Sequence, residues 1–274
     1  MKTVAGLAAT AVAATALTGC GGLTFDASKR HEDRSYDLTG SFTALKVRGD
    51  TGEIEVVGTD SPGIKVRERL TFTNDKNKPR TQRSTAGGVV ELSAKCGNIV
   101  IGIGSCGISY RVEVPRRLAV DVSADSGAME VAGLTGALKL KTDTGSIVAT
   151  DVRTRSLDAS AQAGRISVSG QADTASLETD TGFIVVAGLR AKKLTTRTAA
   201  GAVKLRLPVP PDSLDTRTDT GSVFVELPRG TRFALDMSTD VGSTKADPAL
   251  HQDSRSPKKI KVHTETGSIH IAAL

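Results

Sequence analysis

Apolar and polar residues alternate with a period of two in short runs along most of the chain, and the runs come in pairs around a glycine. One unit recurs: a strand-like run, an acidic residue, Thr or Ser, Gly, and a second strand-like run. Its glycines are Gly52, Gly127, Gly145, Gly164, Gly182, Gly201, Gly221, Gly242 and Gly267, and from Gly127 onward their spacings are 18, 19, 18, 19, 20, 21 and 25 residues. Seven and five positions before the glycines stand residues such as Leu45, Leu138 and Leu194, then Val47, Leu140 and Leu177. Two and four positions after them stand Ile54, Ile147 and Ile184, then Val56, Val131 and Val186. A strand sends successive side chains to opposite faces, so these four columns predict the core. The positions between them, among them Lys46, Lys141, Arg197, Arg217, Glu130 and Lys204, face outward, with Val148, Phe183, Val185 and Phe224 as apolar exceptions.

A unit of about 19 residues with one apolar face per strand cannot bury that face alone and must stack on its neighbours. The expected fold is all-β: a β-solenoid, or β-helix-like stack, of two-strand coils with a period of about 19 residues. The alternative is an antiparallel meander closed into a β-sandwich or barrel, since a short Gly turn is also a hairpin signal. The 75 residues between Gly52 and Gly127 have room for four degenerate coils, but longer candidates at 64–73, 89–94 and 108–114 break the period. Residues 40–118 therefore read as an irregular first part of the β domain, and 119–274 as the regular repeat.

The first segment has a different character. Lys2 precedes an Ala-rich apolar run to Leu17, followed by Thr18, Gly19 and Cys20. The run is too short for a comfortable membrane span, which needs about 20 apolar residues. It resembles a bacterial lipoprotein signal peptide with its lipobox. Residues 1–19 would be cleaved, and Cys20 would carry a diacylglyceryl group with palmitate-like chains, two chains holding where one is marginal. Residues 20–39, with Gly21, Gly22 and mixed charges from Lys29 to Arg34, read as a flexible tether. The expected location is the extracytoplasmic face of the bacterial cell membrane. Export places Cys96 and Cys106 where disulfides persist, and the residues between them read as a short hairpin closed by a Cys96–Cys106 bond.

The units Asp143-Thr144-Gly145-Ser146-Ile147, Asp180-Thr181-Gly182-Phe183-Ile184, Asp219-Thr220-Gly221-Ser222-Val223 and Glu265-Thr266-Gly267-Ser268-Ile269, with Tyr110-Arg111-Val112-Glu113-Val114-Pro115 before them, resemble the bacterial putative adhesin or β-strand-repeat family, domain of unknown function 4097. The resemblance covers residues 40–274. It implies a β-helix-like fold outside the membrane, for some relatives a link to envelope stress, and no catalytic residue. Gln162 and Ala199 depart from the acidic turn position, which argues against a role needing every turn acidic.

Asp-Thr-Gly also surrounds the carboxylates of aspartic proteases, but copies at Asp50, Asp143, Asp180 and Asp219 are too many and too close for one dyad. They read as turns in which Asp accepts a local backbone N–H and Gly takes a positive φ. Stacking would line up Asp125, Asp143, Asp180, Asp219, Asp240 and Glu265 on one edge, with Lys141 and Arg217 as flanking cations. Such an oxygen ladder can hold Ca²⁺, yet the Gly-rich Ca²⁺-binding nonapeptide is absent, and neither a metal nor a cofactor is expected. His263 and His270 read as exposed strand residues. On the opposite edge Arg190, Lys192, Lys193, Arg229 and Arg232 form a candidate site for an anionic ligand, wall polymer or lipid headgroups, against the plainer reading of edge charges that block aggregation.

The net charge of +6 comes from 36 basic and 30 acidic residues that alternate without a like-charged block, and eight aromatics with no Trp leave little for stacking bases. A nucleic-acid partner is not expected. The sequence therefore reads as a non-catalytic, lipid-anchored envelope protein with a structural or adhesin-like role, bound to the membrane through its lipid and to wall polymer or an envelope protein. The alternatives are an accessory or sensor lipoprotein in envelope stress that acts through a membrane partner, and a polysaccharide-acting β-helix enzyme.

Overall fold

A computed structural model describes residues 29–97 and 105–274. Residues 1–19, Cys20, the start of the tether and the tip of the expected hairpin, 98–104, lie outside the described residues. Among the described residues thirteen strands follow in order: β1 (Arg30–Leu38), β2 (Ala44–Thr51), β3 (Ile54–Thr59), β4 (Ile64–Phe72), β5 (Arg80–Ala86), β6 (Val89–Lys95), β7 (Cys106–Pro115), β8 (Ala119–Ala132), β9 (Leu138–Ala187), β10 (Arg190–Arg206), β11 (Ser213–Leu227), β12 (Ala234–Ala246) and β13 (Lys259–Ala273). From β8 onward each strand is a coil or several, bent at its glycines; β9 runs through the corners at Gly145, Gly164 and Gly182 without a break.

Neighbouring coils pair in parallel and in glycine register, Gly127 on Gly145, Gly182 on Gly201, Gly201 on Gly221 and Gly267 on Gly242. The fold is the β-solenoid, and parallel pairing excludes the sandwich alternative. At Gly182 φ is 141°, and a Cβ there would stand 1.8 Å from the carbonyl oxygen of Gly164. Only glycine lets each corner nest on the one beneath it.

The four predicted columns are the core. Leu45, Leu140, Ile147, Ile184, Val203, Val225 and Ile271 are buried, as are their equivalents in eight of the nine coils. The ninth, around Gly242, is the exception, with Leu235, Met237 and Ala246 half-buried and Thr244 exposed. Its place in the stack explains this. The spatial order of the last coils is β11, β13, β12, so the later strand inserts between the two earlier ones and β12 is left outermost.

Two further expectations need correction. Within residues 40–118, expected to be irregular, 44–59 form a regular coil seated directly on the repeat, since β2 pairs with β8, and β3 with the second half of β8. The intervening residues instead fold over the open end of the stack. There β6 lies beside β2 and β7 beside β3 in parallel, while β5 pairs antiparallel with β6, and β4 and then β1 antiparallel from β7. Nor are residues 30–38 tether. β1 pairs along its whole length with β4, and because it carries few apolar residues, backbone pairing and ion pairs hold it: Asp33 with Arg69 at 2.8 Å and Glu32 with Lys78 at 2.5 Å. Such exposed pairs contribute little each, so the ladder is the main term.

Candidate functional site

The corner edge carries the turn acids in stack order Asp50, Asp125, Asp143, Gln162, Asp180, Ala199, Asp219, Glu265 and Asp240. Gln162 and Ala199 fall between acids, so the middle of the edge alternates charged and neutral coils. Gln162 Nε2 donates to Asp143 Oδ1 at 3.0 Å. The expected local amide bond is seen instead as a long-range one: Asp50 Oδ2 accepts from the backbone N–H of Cys96 at 2.7 Å. Arg217 does not neutralise Asp219, because its guanidinium forks onto Asp215 at 3.1 and 3.2 Å. Among the described residues no group of three or more His, Cys, Asp or Glu is placed to hold a metal ion. His263 Nδ1 lies 2.9 Å from Ser238 Oγ, and His270 packs edge-on against Phe224.

The five candidate cations lie at the opposite, loop edge. Arg190, Lys192 and Lys193 open β10, while Arg229 and Arg232 stand in the connection that passes over β13 to reach β12. Acids are interleaved with them. Lys192 pairs with Asp173 at 2.9 Å, and Lys258 with Asp212 at 2.7 Å, holding the Asp212 carboxyl below its usual range. Arg229 and His270 add positive potential at Asp247, whose carboxyl is lowered chiefly by the backbone N–H of Ala249.

A third surface was legible in the sequence only as exceptions. The outward positions one and three after each glycine line one flat wall, and there the structure gathers Arg165, Phe183, Val185, Lys204, Phe224 and His270 on successive coils. The Arg165 guanidinium sits 5.4 Å from the Phe183 ring centre and the Lys204 ammonium 5.6 Å from that of Phe224. Phe183 remains 50% exposed. The arrangement presents aromatic faces beside cations, chemistry that suits an apolar ring or chain bearing anionic groups.

The Cys96–Cys106 bond is present, with the Cα atoms 5.7 Å apart, beside the corner of the first coil. Nearby, an open cleft of about 600 Å³ lies against β1, β4, β7 and β3 and is lined by Asp33, Glu53, Arg67, Arg69 and Arg111 among others. Two ion pairs stand among its charges, Asp33 with Arg69 at 2.8 Å and Arg111 with Glu55 at 2.6 Å. Beneath the sheet Glu68 is buried, accepting a 2.6 Å bond from the Tyr36 hydroxyl. Burial, reinforced by that carboxylate, pushes the Tyr36 hydroxyl well above its usual range.

One buried column escaped the sequence reading. Three positions before the glycines, Thr142, Thr179, Thr198, Thr218 and Thr264 are buried, and one column further out Thr196 and Thr216 bond each other at 2.9 Å. Thr142 and Thr179 donate to carbonyls within their own corners, whereas the hydroxyls of Thr198 and Thr218 have no protein partner among the described residues. The recurrence of Thr at that offset was the available signal; its polarity hid it.

The sequence profile described as Toastrack DUF4097 matches residues 109–273. No curated protein matches significantly. Among solved structures, a putative adhesin from Bacteroides fragilis NCTC 9343 is similar, with 14% identity and a TM-score of 0.58 over 90% of this chain and 99% of that one. A putative adhesin from Parabacteroides distasonis ATCC 8503 has 11% identity and a TM-score of 0.43 over 89% and 98%. At these identities the first likeness speaks for the fold alone.

Proposed function

Starting from the fact that the chain belongs to the Toastrack DUF4097 family, we propose that it is a non-catalytic, lipid-anchored binding protein of the bacterial envelope, which holds anionic envelope polymer. The observation that carries this reading is the wall in which half-exposed Phe183, and Phe224 two coils further on, alternate with Arg165 and Lys204 along the stack. A solenoid wall is flat and extended, so a chain-like ligand can engage several coils at once and gain from multivalency. Arg190, Lys192, Lys193, Arg229 and Arg232 at the adjoining loop edge add to the attraction where acids do not offset them. The lipobox sequence ending at Cys20 supports an anchored, exported chain, and so does the disulfide, a bond that persists outside the cytoplasm.

Two measurements test the reading. Metabolic labelling with a fatty acid should mark the wild type and not Cys20→Ala; label retained on the variant refutes the anchor. Purified protein should co-sediment with anionic wall polymer at low salt and release as salt rises, because exposed charges are screened within about 8 Å at physiological ionic strength. Phe183→Ser with Phe224→Ser should weaken retention without altering the fold, and replacing the five loop-edge cations by Gln should weaken it further. Absence of wild-type binding at low salt, or binding indifferent to both variants, overturns the assignment. Retention by anionic liposomes alone would transfer the ligand class to lipid headgroups.

A further inference from the structure

The outer end of the stack is unfinished. β12 pairs with β13 on one edge. On the other edge Phe233 exchanges bonds with His251 and Asp253, at 3.3 and 2.9 Å, and beyond that bridge no described strand pairs with 234–246. The coil's inward side chains are the ones left partly open, and Val241 at its corner is 65% exposed. A row of free N–H and C=O groups over a partly open core is a template for another strand, and proteins usually block it with proline, a bulge or an inward charge. Residues 234–246 contain no proline, and the inward positions 235, 237, 239, 244 and 246 carry no charge.

We propose that the occupant is a second copy of this chain, joined end to end through β12. A coil is two walls meeting at a corner. A two-fold axis lying in the plane of the coil and passing through that corner exchanges the walls and reverses the chain, giving an antiparallel pair. In the register that keeps the corner on the axis, Leu235 faces the second copy's Ala246 and Met237 its Thr244, so inward residues meet inward ones. Asp236 meets Lys245 on the outer face, and symmetry makes this pair twice. The patch is therefore complementary to itself in parity and in charge, which a closed two-fold interface requires. The two cores merge into one continuous column, and both exposed edges disappear.

The test uses full-length protein in detergent. Sedimentation equilibrium should show a reversible dimer. Val241→Cys, beside the axis, should form an intermolecular disulfide under mild oxidation. Lys245→Asp sets two acids against each other twice and should weaken the dimer by about tenfold or more, while Asp236→Lys with Lys245→Asp should restore it. A monomer at all concentrations overturns the proposal. So does a dimer that ignores Lys245→Asp, or that stays uncross-linked when Val241→Cys is oxidised, since it would use another surface. The substituted residues are all exposed, and unchanged circular dichroism checks that the variants fold.

Discussion

The coil around Gly182 and the coil around Gly242 are written in the same pattern, yet they differ in how far their inward side chains are buried. The first has a neighbour above and below, and Leu177, Ile184 and Val186 are fully buried. The second has one neighbouring coil, and Leu235, Met237 and Thr244 are partly or wholly open to solvent. The difference shows that the repeat specifies a surface that can be buried, and that position in the stack decides whether it is. A solenoid coil inherits its stability from its neighbours.

The sharpest way to break the comparison is at the corners. Gly182→Val would drive a Cβ to 1.8 Å from a carbonyl at a φ of 141°, and Gly242→Val meets the same 1.8 Å approach to Gly267. The central variant should lose ~4 kcal/mol or more and fail to fold cooperatively, whereas the outermost coil can peel away and should lose about half as much; thermal melts of dilute protein compare them. Equal losses would mean that the outer coil is as tightly held as the inner one. Next in size, Ile184→Ala should cost ~3 kcal/mol, against ~1 kcal/mol for Met237→Ala, read as midpoint shifts in urea. Replacing Cys96 and Cys106 by Ser should cost ~2.5 kcal/mol for a closed loop of about ten residues, an effect confined to the capped end of the stack.

The smallest effect concerns pH. Arg48 in β2 grips Asp121 in β8 with both nitrogens, at 2.9 and 3.1 Å, and that hydrogen bonding holds the Asp121 carboxyl below its usual range. A lowered folded value means the contribution is present above the unfolded value, about 3.9, and is lost as pH falls through the folded one. Below about pH 4 the wild type should therefore lose the margin it holds over Asp121→Asn at neutral pH, a margin under ~1 kcal/mol because the pair is partly exposed. A margin unchanged between neutral and acid pH would show that the pair adds nothing to joining the first coil to the repeat.

Much of this architecture was readable because stacking demands equivalence: a period of about 19 and a period of two within it are enough to name the core residues from Leu45 to Ile271. The end of the stack was not readable in the same way. Leu70, Phe72 and Tyr110 look like any strand residues, and only tertiary pairing shows that they close the stack rather than extend it. β1 was hidden because Arg30 to Asp37 is nearly all polar and is held by hydrogen bonds and ion pairs, which leave no periodic apolar trace. The exchanged order of β12 and β13 left only faint marks, the longer spacings of 21 and 25 residues and the weak core residues Met237, Thr244 and Ala246. As for the site, Phe183 and Phe224 stood out as breaks in the outward pattern, but their cations are neighbours only across coils, a relation that no single strand displays.

That exchanged order has a bearing on how the molecule is made. During synthesis β12 emerges before β13, and at that moment the strand it will rest on does not exist. Coils up to β11 can settle one upon another as the chain appears, each on a finished template. β12 has to wait, or to occupy temporarily the free edge of β11 that β13 will claim. The residues from Lys259 to Ala273 thus act as a keystone slid between two existing courses, and a chain interrupted before them would leave the outer edge of β11 and both edges of β12 unpaired, three open edges instead of one. Quality control has at that step a clear difference between finished and unfinished molecules on which to act.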